Sequence, residues 1–464
     1  MKKIKTALFA ALFIVLLTSC IIFPDLNMLK PVENLDILEE NSFYAQNMTN
    51  KKYYKVKASI LWEGSKCVIW AENDSMVTRK QAQDIANEYD SKIRPIIIET
   101  FSRDDGEMDI IDYANDLAGR NDRKLTVLLL DIKDGFKNEK TDTYVAGYFF
   151  SGNFLKKGNT GSGHYSNGRD MIYIDTDPGL SLQIRESYVT FAHELQHLVN
   201  FVTSVRMNRG SVDTWIDEGL SSQAEHFYLG DNSKDKCEWF SADSEGTIAR
   251  GNNFFVWGNH EEKPRSILDD YATVYLFFRW LYLQADSELQ SHIFYDIGSS
   301  SYRNYRAVTA IAGAINPAWG NWENLLRTWL AANYYPHNAY GYTGDAYLQE
   351  KIRVSPATGI TISLYPGEGA YSVMSNSYSP AETGNHIRYA GLADNAPDII
   401  TSPPYRGNIL LTFNANTNNA VSTRPETGSL TGISPSVSRK AGGNGKTSGP
   451  YKIDARDILG RTSQ

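Results

Sequence analysis

The sequence is poor in cysteine and in positive charge. Only 3 of its 464 residues are cysteine, too few for a disulfide-dense scaffold or a four-cysteine zinc site. Two of them, Cys67 and Cys237, lie far apart and can either pair or remain thiols. Lysine and arginine number 46 against 54 aspartate and glutamate, for a net charge of −8. A chain this acidic binds a phosphate backbone poorly, so we expect no nucleic-acid partner.

Long apolar runs are also lacking, and the longest one lies at the N-terminus. Residues 1–5 are basic, and residues 7–17 form an uninterrupted apolar run. This run is shorter than the roughly 18 residues that a spanning helix needs, but it is typical of a secretory signal. It ends in L-T-S-C at Cys20, a pattern that resembles the bacterial lipobox. We predict a signal peptide (1–19), acylation of Cys20 and a lipid anchor in the bacterial cell envelope. An ordinary signal peptide that ends near a cysteine is the alternative.

Apolar spacing along the rest of the chain predicts an α+β protein of two or three domains, at about 150 residues per domain. Residues 125–132 form a β-type run, whereas residues 182–205 have helical spacing. Short alternating runs rich in Ser, Thr, Asn and Gly follow residue 354. The predicted parts are a tether (20–50), a main domain (51–350) with a helix pair (182–230) and a helical subdomain (264–340), and a β-rich C-terminal module with a flexible tail (351–464).

The motif H-E-L-Q-H at residues 193–197 lies in the predicted long helix. His193 and His197, at positions i and i+4, share one helix face, so both imidazoles can bind one zinc ion. Glu194 points away from that line but lies beside the site, where a carboxylate can accept the proton of the attacking water. We therefore predict a zinc site with Glu194 as its general base.

Glu218 is the candidate third ligand. It follows His197 after 20 intervening residues, room for the end of one helix, a loop and the start of another. Two histidines and one glutamate leave a fourth position open for water, the arrangement of catalytic rather than structural zinc sites. We predict one catalytic Zn²⁺ ion held by His193, His197 and Glu218.

H-E-x-x-H followed at this distance by W-x-x-E-G resembles the gluzincin metallopeptidases, and within them most closely the hyicolysin family. The likeness runs over residues 51–335 and does not cover the C-terminal module. It implies a thermolysin-like catalytic domain (51–350), with a small mixed sheet, an active-site helix and a helical C-terminal subdomain. It also implies that the two histidines and Glu218 bind zinc, that Glu194 is the base, and that the substrate is a protein or peptide.

Two acidic residues flank Glu218 on the second helix. Glu225 lies seven residues later, two helical turns on and on the same face. In aminopeptidases related to this family, a glutamate there orients a zinc-bound histidine, and we predict that role for Glu225 over that of a solvated helix residue. Asp217 forms a Thr-x-x-Asp pattern with Thr214, which predicts a helix cap.

Tyr271 lies near the start of a third predicted helix, which begins at Ser266. In the related aminopeptidases a tyrosine at the head of the corresponding helix donates a hydrogen bond to the oxyanion of the tetrahedral intermediate. The resemblance therefore implies that Tyr271 is catalytic. Tyr275, one turn later, and His260 or His292 are the alternative donors.

One departure from the related aminopeptidases concerns substrate choice. Those enzymes carry G-x-M-E-N before the zinc helix, and its glutamate holds the free amine of the substrate, but nothing similar precedes His193. The strand-like residues 144–150 instead offer an edge for an extended peptide backbone. We therefore predict an endopeptidase. The alternatives are a zinc aminopeptidase and, favoured by the Tyr- and Asn-rich C-terminal module, a surface binding protein or adhesin on an inactive peptidase scaffold.

Overall fold

The computed structural model forms two compact units. The first comprises the described residues of Met1–Asp235 together with Ser291–Asn304, and the second comprises those of Lys236–Gln290 and Tyr305–Gln464. The described residues are 42–103, 108–137, 144–155, 165–180, 184–244, 246–251, 255–258, 266–356, 362–374, 377–380, 385–393, 398–418 and 426–428. The predicted signal peptide, Cys20 and the predicted C-terminal tail lie outside them.

A six-stranded mixed sheet is the core of the first unit. Its strands are β1 (Ser42–Gln46), β2 (Tyr53–Glu63), β3 (Cys67–Glu72), β4 (Leu125–Leu130), β5 (Gly147–Phe149) and β6 (Met171–Asp175). Their order is β1-β2-β3-β4-β6-β5; β3, β4 and β6 are parallel, and the outer pairs are antiparallel. β4 is apolar apart from one threonine and is buried throughout, as expected of a central parallel strand covered on both faces.

The predicted tether extended to residue 50, but β1 shows that the folded unit already includes residues 42–46. This strand pairs with β2, and Phe43 and Ala45 are only 2% and 1% exposed. On its outer side, the side chain of Asn167 accepts from the backbone N–H of Tyr44 at 2.8 Å and donates to the carbonyl of Tyr44 at 2.9 Å. The prediction failed because a five-residue strand between polar segments is stabilised by partners that are distant in the sequence.

The helices lie between and after these strands. In chain order they are α1 (Arg79–Glu88), α2 (Arg94–Phe101), α3 (Ile110–Leu117), α4 (Ile184–Arg206), α5 (Thr214–Leu229), α6 (Lys234–Ala242), α7 (Ile267–Gln284), α8 (Ser287–Gln290), α9 (Ile293–Gly298), α10 (Tyr305–Ile315), α11 (Trp322–Tyr334) and α12 (Ala346–Lys351). Phe201 of α4 packs on Phe149 and Phe154, with ring centroids 5.8 and 5.0 Å apart. These contacts place α4 on the face of the sheet beside β5.

The second unit combines most of α6 and the helices α7, α8, α10, α11 and α12 with short antiparallel strands. The strands are β7 (Ile362–Leu364), β8 (Gly369–Val373), β9 (Ile387–Leu392), β10 (Ile399–Ile400), β11 (Ile409–Asn414) and β12 (Glu426–Gly428). Four of them form a sheet in the order β10-β9-β11-β8, and β12 pairs with β7. Tyr378, Tyr389 and Tyr405 pack in its core, at 5%, 3% and 8% exposure. These tyrosines of the C-terminal module therefore serve internal packing.

The predicted α+β class is confirmed, because a mixed sheet with many helices is followed by a β-rich region. Within the predicted helical subdomain, a 3₁₀ turn at Pro317–Gly320 precedes α11, which is capped by Asn321. Cys67 and Cys237 are both buried, and they do not form a disulfide with each other. Within the described ranges, no helix has both the length and the apolar character needed to cross a bilayer.

Candidate metal centre

Two adjacent helices bring the three predicted zinc ligands together. His193 and His197 lie on α4, and Glu218 lies near the start of α5. One ligand atom of each lies within 4.8 Å of the others, and the side chains are 0%, 4% and 0% exposed. Burying two imidazoles and a carboxylate is unfavourable unless they are bound or paired. In the described part of the chain, these three residues are the His, Cys, Asp or Glu side chains that lie close enough together to hold a metal ion.

The atoms that face one another in this cluster fit a zinc ion. Among the described residues, Nε2 of His193 and both carboxylate oxygens of Glu218 are buried without a hydrogen-bond partner. The closest approach of His193 Nε2 to Glu218 is 3.4 Å, longer than an ordinary N–H···O bond. Such unsatisfied buried atoms are uncommon in folded proteins. Imidazole nitrogen and carboxylate oxygen are the donors that catalytic zinc sites use.

The second ring nitrogen of His193 faces Glu225. The distance from Nδ1 to the Glu225 carboxylate is 2.7 Å, and Glu225 is only 3% exposed. Glu218 and Glu225 lie two turns apart on α5, so both reach toward α4. A carboxylate on the far nitrogen fixes the tautomer and orientation of an imidazole. With Nδ1 so paired, Nε2 of His193 is presented to Glu218.

His197 has a carboxylate partner of its own, Asp217, at 2.8 Å from Nδ1. The sequence predicted that Asp217 caps α5 together with Thr214, and this prediction is wrong. The N-cap of α5 is Asp213, and Thr214 is already helical. Asp217 is 4% exposed and also accepts a hydrogen bond from the side chain of Asn200. Its carboxylate therefore lies against the zinc-ligand candidate instead of the helix terminus.

Further buried polar groups surround His197, and sequence reasoning missed them. Oγ of Ser221 lies 3.1 Å from Nδ1 of His197 and donates to Oε1 of Gln196. Nδ2 of Asn200 lies 3.3 Å from the same Gln196 oxygen. In a buried environment such hydrogen bonds strengthen one another and hold side chains in one arrangement. The available signal was the helical spacing of Gln196 and Asn200, which continues the polar stripe of the two histidines along an apolar helix.

The neighbouring carboxylates set the charge state of both imidazoles. Burial alone would lower the pKa of His193, but Glu218 and Glu225 outweigh burial and raise it above its ordinary value. Burial opposes protonation of His197 as well, yet Asp217 and Glu218 raise the pKa of His197 to about 10. A cluster that stabilises positive charge so strongly is suited to hold a cation.

Glu194 lies on α4 beside the ligand cluster and is 2% exposed. Burial raises the pKa of Glu194 to about 7, although positive charge on His197 and His193 lowers it and Glu218 raises it further. The backbone N–H of Phe149 donates a hydrogen bond to the Glu194 carboxylate. A carboxyl group that titrates near neutrality can both accept and return a proton, which is the chemistry expected of a general base.

β5 lies at one edge of the sheet, within the segment that was predicted as an edge for a peptide. The N–H of Asp175 donates to the carbonyl of Ala146 at 2.8 Å. Because antiparallel ladders alternate, Tyr148 also bonds to β6, whereas Gly147 and Phe149 direct their N–H and C=O groups away from β6. Gly147 therefore presents main-chain groups at the sheet edge, whereas the N–H of Phe149 is bonded to Glu194.

Tyr271 belongs to the second unit and lies near the start of α7. Ser266 caps this helix by accepting a hydrogen bond from the N–H of Leu268. Tyr271 is 3% exposed, and its ring packs edge-on against Trp257 with centroids 5.0 Å apart. The position near the helix start is the predicted one, and the oxyanion role of Tyr271 stays a prediction.

The alternative oxyanion donors have different surroundings. Tyr275 is fully buried on α7, and His260 lies outside the described residues. His292, in the first unit, pairs with the carboxylate of Asp296 at 2.7 Å. His292 thus already has a local partner on its own helix segment.

Comparison with known proteins gives one informative similarity. No protein-family profile matches the chain. The chain is 29% identical over 263 residues to the neutral metalloprotease ShpI of Staphylococcus hyicus. The aligned region covers 55% of the chain and 54% of that protein, so the chain spans about half the length of the curated relative that it matches. Together with the three-residue metal centre, this similarity confirms the predicted resemblance: the chain is similar to a neutral metalloprotease.

Proposed function

We propose that this protein is a zinc-dependent endopeptidase that cleaves protein or peptide substrates at the cell envelope. The convergence of His193, His197 and Glu218, buried with ligand atoms within 4.8 Å of one another, carries the proposal. The presence of Glu194 beside them and the similarity to a neutral metalloprotease support it. Intact ligands and an intact base also argue against an inactive scaffold.

The residues around the cluster have different roles in peptide hydrolysis. The two histidines and Glu218 would hold a zinc ion, which would supply Lewis acidity and a water whose pKa is lowered to about 7. Glu194 takes the proton of the attacking water and returns it to the leaving amine, a task suited to a carboxyl group whose pKa is about 7. Glu225 and Asp217 keep the two imidazoles oriented during these steps.

The edge strand supports endopeptidase over aminopeptidase activity. An extended peptide beside β5 would bond to the main-chain groups that Gly147 directs away from β6. Such binding needs no free amino group on the substrate. Peptide bonds inside a longer chain can therefore be placed next to Glu194.

Internally quenched peptides with blocked and free N-termini test this proposal. The zinc-loaded protein should cleave the blocked peptides at internal bonds, and a metal chelator should stop the cleavage. Cleavage of only the free-amine peptides would instead identify an aminopeptidase. Stoichiometric zinc without cleavage of casein or any peptide in a library would favour a surface binding protein and contradict the proposal.

Tyr271 is proposed to donate a hydrogen bond to the developing oxyanion. If so, Tyr271→Phe should lower kcat and kcat/KM by a similar factor of about 10²–10³, with KM and zinc content nearly unchanged. The ring that packs on Trp257 remains in this variant. Reduced thermal stability with normal kcat would show a core role, and Tyr275→Phe serves as the matched comparison one turn away.

We propose that the enzyme is anchored to a membrane of the cell envelope through an acylated Cys20. The basic segment, the apolar run and the L-T-S-C sequence support it. In bacterial expression, the wild-type protein should partition with membranes, and Cys20→Ala should release it or leave the precursor unprocessed. Labelling with a fatty-acid analogue measures the modification directly. A wild-type protein that incorporates no label would contradict the anchor without affecting the proposed chemistry.

A further inference from the structure

Gly147 lies where the edge strand β5 meets the active-site helix α4. A methyl group built at Gly147 would lie 2.6 Å from Cγ2 of Thr190 on α4 and 2.8 Å from the carbonyl oxygen of Tyr173 on β6. Non-bonded carbon and oxygen atoms do not approach so closely without strain. Only a glycine therefore lets the strand lie this near to both neighbours.

The same methyl group would lie 3.4 Å from Cγ of Glu194. Two residues further along the strand, the N–H of Phe149 donates to the Glu194 carboxylate. Gly147 thus sets how closely the β5 backbone approaches the stem of Glu194, and Phe149 holds the carboxylate of the same side chain. An added methyl group at residue 147 and the main chain of Phe149 thus both meet Glu194.

We propose that Gly147 is a positioning residue, which aligns the β5 backbone with Glu194 so that a peptide paired with this edge is held at a fixed distance from the base. This inference rests on the proposed endopeptidase function. The three zinc-ligand candidates lie on α4 and α5. A displacement confined to β5 would therefore change the alignment of base and substrate without moving the helices that carry the metal ligands.

Gly147→Ala tests this inference in the full-length, zinc-loaded protein. A misplacement of about 1 Å can lower a rate about 10²-fold, so we expect kcat to fall about 10–100-fold, with less change in KM. Zinc affinity, measured by competition with a chromogenic chelator, should stay within about twofold of wild type. Hydrogen exchange at the Phe149 amide should accelerate as its bond to Glu194 weakens.

Thr190→Ser in the Gly147→Ala background provides a rescue. Serine removes the Cγ2 atom that lies 2.6 Å from the added methyl group and keeps the hydroxyl that donates to the Glu186 carbonyl at 3.0 Å. We expect partial recovery of kcat, because the Tyr173 carbonyl remains in contact. Gly210→Ala is the matched control, since a methyl group there meets nothing within 4 Å, and its kcat should equal that of wild type.

Three results would overturn the inference. A wild-type kcat in folded Gly147→Ala would do so, and so would a double variant with no recovery of kcat. Lower thermal stability with full activity per folded molecule would show that Gly147 serves packing and does not position Glu194. If Gly147→Ala does not fold alone, the double variant with its relieved contact is compared directly with Thr190→Ser. A wild-type protein that cleaves no peptide would instead refute the proposed function, and this inference with it.

Discussion

Glu194→Gln should retain zinc and lose nearly all turnover. The amide keeps the shape of the side chain but cannot accept the proton of the attacking water, and general-base groups contribute about 10²–10⁴-fold to the rate. Since Glu194 is buried beside the ligand cluster and bonded by the Phe149 amide, the substitution should leave the surrounding fold intact. The measurement is kcat on a quenched peptide, with zinc content determined on the same sample.

The same experiment distinguishes a role of Glu194 as general base from a role as zinc ligand. Loss of zinc from Glu194→Gln would mean that Glu194 helps to hold the metal. Substantial turnover by the zinc-loaded variant would remove Glu194 from the mechanism altogether. A circular dichroism spectrum and melting temperature close to those of wild type are the controls for folding.

Glu218→Ala should lose both zinc and activity. Both oxygens of Glu218 lie in the interior without a hydrogen-bond partner among the described residues, which is the state expected of a carboxylate that binds metal. The remaining His193 and His197 form a two-ligand site, which is too weak to compete for zinc with other chelators. We expect zinc affinity to fall by more than the factor of about 10–100 that is typical when a hydrogen-bond partner of a metal ligand is removed.

Glu225→Ala and Asp217→Ala provide the graded comparison. Each removes a carboxylate from the far nitrogen of one histidine, and each should weaken zinc affinity or activity about 10–100-fold. The ranking by zinc affinity is therefore wild type, then these two variants, then Glu218→Ala. If Glu225→Ala lost zinc while Glu218→Ala kept it, the third ligand would be wrongly assigned.

The main elements of the fold could be predicted where sequence spacing is regular. The continuous apolar run of β4 and the helical periodicity of α4 have signals that depend on the segment itself. β1 has no such signal, since its burial depends on pairing with β2 and on the side chain of Asn167. Contacts between distant segments decide such strands, and spacing alone does not reveal them.

The candidate site likewise has residues that the sequence could predict and residues that it could not. Helical spacing places His193 and His197 on one face, and the glutamate that follows after 20 residues completes a recognisable motif, so the sequence alone was enough to predict His193, His197 and Glu218 as ligands. Asp217 was misinterpreted because a Thr-x-x-Asp pattern at a helix start is also a cap, and only the packing of α5 on α4 shows that its carboxylate meets His197. Gly147 had no sequence signal, because its role depends on how closely β5 approaches α4.

Titration of zinc into the metal-free protein, with cleavage of an N-blocked quenched peptide followed throughout, tests the central claim most directly. If His193, His197 and Glu218 hold one catalytic ion, the initial rate should rise linearly with added zinc and level off at one equivalent per chain. The same titration of Glu218→Ala should show no such rise. Cleavage at full rate in the metal-free protein, or one tightly bound zinc per chain with no cleavage, would contradict the account.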